Sequence, residues 1–215
     1  MIKSYPVSWF EKVIVKHDHV DGATAIDGRE VRVVRKALDP ITVVPVSSDF
    51  LVRQDLEELL VDHKPTLVVL VNSAGHYAWD ARQLAEDQGA SLQTFKELYT
   101  FLPDSDPRGG VDKGVSFVRS RLEQHSKVRA VSMICEATMC VSRVGTFDPL
   151  RIAVEQHYEF TEEALVHALK RHPKVNVVYN ANPNGTVTQD AHSHAGHAGV
   201  EVLGLGDLLR RLHDA

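Results

Sequence analysis

Apolar and polar positions along this chain follow two rhythms. Trp9, Phe10, Val13 and Ile14 recur at helical spacing, whereas Glu30 to Arg35 alternates with the two-residue period of a strand. Ile41 to Val46 is short and β-branched and predicts a second strand, with Pro45 marking a sheet edge or a strand end. Leu51, Val52, Leu56, Leu59 and Leu60 predict a helix over 49–62. Residues 67–71 (LVVLV) are apolar without alternation, which suits a strand covered on both faces in a partly parallel sheet. A turn at Ser73-Ala74-Gly75 follows, then a helix over Trp79 to Gln88 stopped by Gly89, a strand over Ala90 to Gln93 and a helix over Phe95 to Leu102.

The same order recurs downstream. Helix 113–125 leads to strands near 128–135, 138–144 and 150–155, then helix 161–171, strand 175–180, helix 189–197, strand 200–203 and helix 205–213. Segments 66–102 and 176–212 align without a gap apart from one column of drift in their first strand. Asn72, Gly75, Asp80, Ala81, Ala85, Gly89, Leu98 and Leu102 recur as Asn182, Gly185, Asp190, Ala191, Ala195, Gly199, Leu208 and Leu212. Upstream, Val7-Ser8-Trp9-Phe10 matches Val115-Ser116-Phe117-Val118, Asp39-Pro40 matches Asp148-Pro149, and Phe50 and Phe160 each open a helical segment. An internal repeat of this kind fixes the organisation before any residue-level chemistry. We read two similar three-layer α/β units with mixed sheets, 1–102 and 111–215, joined by the Pro- and Gly-rich linker 103–110 and paired about a pseudo-twofold axis.

Composition narrows the classes of function. No apolar run reaches the roughly 20 residues of a membrane helix, and the first 20 residues lack the order of a secretory signal, so a cytoplasmic protein with no membrane partner is expected. Cys135 and Cys140 are too few for a disulfide framework, and no basic residue adjoins either thiol to activate it. A net charge of -5 argues against coating nucleic acid through bulk charge. A local contact remains open, and Arg29, Arg32, Arg35 and Lys36 form the densest basic group. His17-Asp18-His19 and the run Asp190, His192, His194, His197 each invite a metal reading. Against it, Leu84 fills the column of His194, which predicts an inward, packed histidine. No Ser-His-Asp order, Walker loop or dinucleotide fingerprint is present.

The run from Leu67 to Leu102, with its apolar strand, glycine turn, alanine-containing helix, short strand and last helix, resembles the C-terminal half of the Mrr-like restriction-endonuclease fold. Val20-Asp21-Gly22-Ala23 resembles the Asp-Gly hairpin of that family, and Lys36, closing EVRVVRK, its strand lysine. The resemblance implies a phosphodiester hydrolase using Mg²⁺ held by an Asp and a Glu, with a lysine two positions beyond the Glu steadying the attacking hydroxide. On this chain it implies Asp21 and Glu30 as metal ligands, Lys36 positioning the nucleophile and Glu11 assisting. Val34 occupies the position two before Lys36, so Glu30 would be a displaced ligand. The second copy has neither the hairpin Asp nor the strand Lys and is read as structural. A nucleic-acid-associated protein that takes DNA as its partner, with a degenerate Mg²⁺ site in its first unit, is one expectation. A non-catalytic tandem scaffold that binds a protein partner is the other.

Overall fold

The unbroken apolar run becomes a strand buried on both faces. In the computed structural model, which describes residues 1–214, β5 (Leu67–Leu70) is fully buried along its length. It belongs to the first of two compact units, Met1–Val111, the second beginning at Asp112. The first unit runs α1 (Val7–Ile14), β1 (Val20–Ala25), β2 (Val31–Arg35), β3 (Ile41–Val46), β4 (Phe50–Leu51), α2 (Arg53–Asp62), β5, β6 (His76–Tyr77), α3 (Trp79–Asp87), β7 (Ser91–Thr94) and α4 (Phe95–Phe101). Its sheet has the order β1-β2-β3-β5-β7. The β1–β2 and β2–β3 ladders are antiparallel, and the β3–β5 and β5–β7 ladders are parallel.

Alternate residues of the central strands face opposite layers. Val43, Leu67 and Val69 join Phe10 and Ile14 of α1 and Leu98 of α4 in one core. Val44, Val46, Val68 and Leu70 join Leu56 and Leu59 of α2 and Ala81 and Ala85 of α3 in another. Burying one such side chain contributes about 2 kcal/mol, more than most exposed ion pairs, so these two cores set where the helices lie.

The second unit repeats the plan with α5 (Lys113–Glu123), β8 (Val128–Cys135), β9 (Thr138–Arg143), β10 (Leu150–Glu155), β11 (Glu159–Phe160), α6 (Glu162–Arg171), β12 (Val177–Asn180), β13 (Thr186–Val187), α7 (Gln189–Ala198), β14 (Glu201–Leu203) and α8 (Leu205–Arg211). Its sheet order, β8-β9-β10-β12-β14, and its ladder directions match the first. Each unit also has a two-residue parallel pair, β4 with β6 and β11 with β13. Among the described residues no helix is long and apolar enough to cross a membrane.

Several expectations are refined. Helix 49–62 begins only at Arg53, because Phe50 and Leu51 extend to pair with His76 and Tyr77. Leu51, not Phe50, is the counterpart of Phe160, since these two are the buried second members of their strands. Pro45 is the next-to-last residue of a central strand, which fits the expected strand end and not a sheet edge. The β2 ladder ends at Val31↔Val43, so no N–H is required of residue 45 on that side. The segment 103–110 also packs onto the first unit. Pro107 is buried, its carbonyl accepts from Gln93 Nε2 at 2.6 Å, and Arg108 donates to the Gly89 carbonyl at 3.1 Å.

Both units make the same turn beyond their central strand. Gly75 N–H donates to the Asn72 carbonyl, and Gly185 N–H to that of Asn182. A Cβ on Gly75 would lie 2.5 Å from the Ser48 carbonyl oxygen; one on Gly185 would lie 2.6 Å from that of His157. Gly75→Ala is expected to cost on the order of 1–3 kcal/mol in thermal unfolding, whereas Gly22→Ala, with nothing within 4 Å of the added carbon, should leave the midpoint nearly unchanged.

Candidate functional site

The hairpin register separates the residues that the resemblance groups together. Val20 pairs with Arg35 and Ala25 with Val31, with an irregularity between Val20 and Gly22 that leaves the exposed Asp21 on a bulge. Asp21 and Lys36 therefore sit at one end of the ladder and Glu30 at the other. Six residues of extended chain, from Glu30 to Lys36, span roughly 20 Å. The carboxylate of Glu11 accepts the N–H of Ala25 and ties α1 to the edge of β1. Strand β3, Ile41–Val46, carries no carboxylate. Asp21, Glu30, Lys36 and Glu11 thus form no common site, and their donor set does not fit a Mg²⁺ ion, which needs oxygen ligands converging at about 2.1 Å.

The arginines of the hairpin divide. Arg32 on β2 and Lys36 in the turn after it are exposed, and Arg29 lies over the Tyr5 ring at 4.9 Å. Arg35 is 3% exposed and does not face a ligand. Its Nε donates to the Asp39 carbonyl at 3.0 Å, and its Nη1 to the carbonyls of Leu102 at 3.3 Å and Asp104 at 2.6 Å. Burial lowers its pKa, opposed by Asp39 and Asp106. The guanidinium satisfies carbonyls that the end of α4 leaves open. Arg143 does the same in the second unit, donating to the carbonyls of Asp148 at 3.1 Å, Arg211 at 3.3 Å and Asp214. The sequence carried a signal for this role: each arginine closes its strand a few residues before an Asp-Pro.

The structure gathers a different set of groups at the start of the second strand. His63, the residue after α2, places Nδ1 2.7 Å from Glu30 Oε1, with side chains 11% and 15% exposed. Asp27 joins them. Its Oδ1 accepts the N–H of Arg29 at 2.6 Å and of Glu30 at 2.8 Å, and these two bonds hold its pKa down. Carboxylate and imidazole ligand atoms of Asp27, Glu30 and His63 lie within 4.8 Å of one another, the one group of three or more such donors among the described residues. In the second unit, His172, the residue after α6, takes the equivalent seat with Nδ1 2.8 Å from Thr138 Oγ1. Its Nε2 is 3.4 Å from Glu155, which also lies 3.4 Å from His157 and 3.8 Å from Arg171. Burial pushes the Glu155 pKa up, but His172, Arg171 and His157 outweigh it and hold it below its ordinary value. His63 and His172 are identifiable only by comparing the copies, since each closes a helix just before a proline, Pro65 or Pro173.

The remaining candidates are committed elsewhere. His17 Nε2 donates to the Tyr99 carbonyl at 2.9 Å and its Nδ1 accepts from His19 N–H at 3.2 Å. His194 is 37% exposed and bonded to Glu162 at 2.9 Å, not packed inward as the Leu84 column implied, and His197 is exposed. Burial, helped by Glu136, pushes the Cys135 thiol up to about 11, which leaves it protonated near neutral pH. No protein-family model, no curated protein and no solved structure matches the chain.

Two outcomes follow from this geometry. Arg35→Met leaves carbonyls of Leu102 and Asp104 without their donor and should lower the urea-unfolding free energy by on the order of 3 kcal/mol. Arg35→Lys should recover only part of the loss. The depressed pKa of Glu155 means that its stabilisation is present above the unfolded value of about 4.3 and is lost as pH falls through the lower folded value. Stability measured from pH 7 down to pH 3 should therefore fall less steeply below about pH 4.5 in Glu155→Gln than in the parent.

Proposed function

We propose that this chain is a non-catalytic tandem module on a restriction-endonuclease-like architecture, acting by binding and not by hydrolysis. One observation carries the reading: Asp21 and Lys36 lie at one end of the β1–β2 ladder and Glu30 at the other. A phosphodiester hydrolysis of the type the resemblance implies needs metal ligands and a lysine within a few ångströms of one phosphate. The ancestry is supported by the order of helix, hairpin, strand, helix, strand, helix, strand and helix in both units. Fold-level analogy of this kind bears on descent and leaves activity to the site.

A nucleic acid is the partner class favoured by a second observation. Arg32 is exposed on β2 and Lys36 is exposed just beyond its end, while Arg35 is withdrawn into the fold. Contacts from two such side chains reach phosphates without needing a basic protein overall.

A single series tests both parts. Purified chain is incubated with DNA and RNA in Mg²⁺ or Mn²⁺ beside a Lys36→Ala variant, and binding is titrated over a range of salt. No cleavage is expected from either protein. Binding should weaken with salt, and Arg32→Ala with Lys36→Ala should reduce the logarithmic salt slope by about 2. Cleavage by the parent that the Lys36→Ala variant loses would overturn the non-catalytic reading, and an unchanged salt slope would overturn the nucleic-acid contact.

A further inference from the structure

We propose that Asp27, Glu30 and His63 form a binding site for a divalent cation of the zinc class. The inference stands apart from the Mg²⁺ set considered above: it uses different donors and does not depend on whether the chain is catalytic.

The donors come from two elements that meet through the tertiary fold. Asp27 and Glu30 belong to the turn between β1 and β2, and His63 follows α2. The turn is already shaped: Asp27 Oδ1 is held by two backbone N–H groups, which leaves its second oxygen for a ligand. The two units provide an internal comparison. On the same seat His172 Nδ1 meets the neutral hydroxyl of Thr138 while its Nε2 lies 3.4 Å from Glu155, whereas His63 Nδ1 meets the Glu30 carboxylate with Asp27 nearby. The first unit thus places two carboxylates of one turn beside a largely buried imidazole. Arg29, the nearest guanidinium in sequence, lies over the Tyr5 ring at 4.9 Å. Asp27 is exposed, which leaves the cluster open to solvent on its side.

The chemistry selects the ion. One imidazole and two carboxylates form a mixed nitrogen–oxygen set that favours zinc-class ions over Mg²⁺, which prefers six oxygens. Tetrahedral bonds of about 2.1 Å place donor atoms roughly 3.4 Å apart. The 2.7 Å Glu30–His63 contact must open slightly and the third donor close in, within the 4.8 Å that encloses all three. An ion bound at Nδ1 would displace the hydrogen bond to Glu30 and leave the imidazole proton on Nε2. Three protein donors leave a coordination position for water or another ligand.

The test uses the full chain carrying His192→Ala, His194→Ala and His197→Ala, which removes the α7 histidines as adventitious ligands. Calorimetric titration with ZnCl₂ should give one equivalent bound and a raised unfolding temperature, with millimolar Mg²⁺ competing poorly. Asp27→Asn, which keeps the backbone acceptor that shapes the turn, should weaken binding by at least about tenfold without lowering the metal-free unfolding temperature. X-ray absorption of the zinc-loaded parent, which needs no ligand variant to fold, should show one imidazole among oxygen donors. Absence of stoichiometric binding, equal affinity in Asp27→Asn, equal competition by Mg²⁺, or a spectrum with two or more imidazoles would each overturn the site.

Discussion

The constraint on which the rest depends is that the middle of each sheet is buried on both faces. Val43, Val44, Val46 and every residue of β5 have no solvent exposure, and Ile152, Ala153, Val177 and Val178 repeat the condition. A strand in that position has no face for a charge, because an unpaired charge there would cost several kcal/mol. Carboxylates, histidines and arginines are therefore excluded from the strand centres and collect at strand ends and in the turns beyond helices. This accounts for the apolar β3 and for the location of both polar clusters.

Within that frame the two units preserve one class of interaction and vary another. Bonds that satisfy the main chain are kept. Arg35 and Arg143 serve the carbonyls at the ends of α4 and α8, and His17 and His125 each accept the N–H two residues on through Nδ1. Asn72 and Asn182 likewise accept the N–H two residues on. Each relieves a backbone group that would otherwise go unpaired, a cost that does not change with function. Side chains that only meet other side chains have diverged, as at the seat shared by His63 and His172. The preserved set reports the fold, and the divergent set is where the two copies took up different chemistry.

Much of the architecture was legible in the sequence, because periodicity and self-similarity are local signals. The run at 67–71, the Gly75 and Gly185 turns and the matched terminal helices needed only neighbouring residues to be read. The site was less legible for physical reasons. Alternation placed Arg35 correctly on its strand, but whether that face meets water or the end of a helix is decided by residues 67 or more positions away. Asp21 looked paired with Glu30 because sequence order hides the bulge and the hairpin register. His63 carried no motif of its own; only the recurrence of a histidine before a proline in the other copy marked it.

The reach of Arg35 bears on where one unit stops. Two of its acceptors, the carbonyls of Asp104 and Ser105, lie beyond the last residue that the internal repeat assigns to the first copy. The guanidinium thus draws the connecting stretch into the body it follows, and Gln93 and Arg82 do the same through Pro107 and Arg108. An excised first half that ended at Leu102 would strand a positive charge in its own interior. The compact body runs on through Val111, so the end of the internal repeat and the physical border of the folded body fall at different places along the chain.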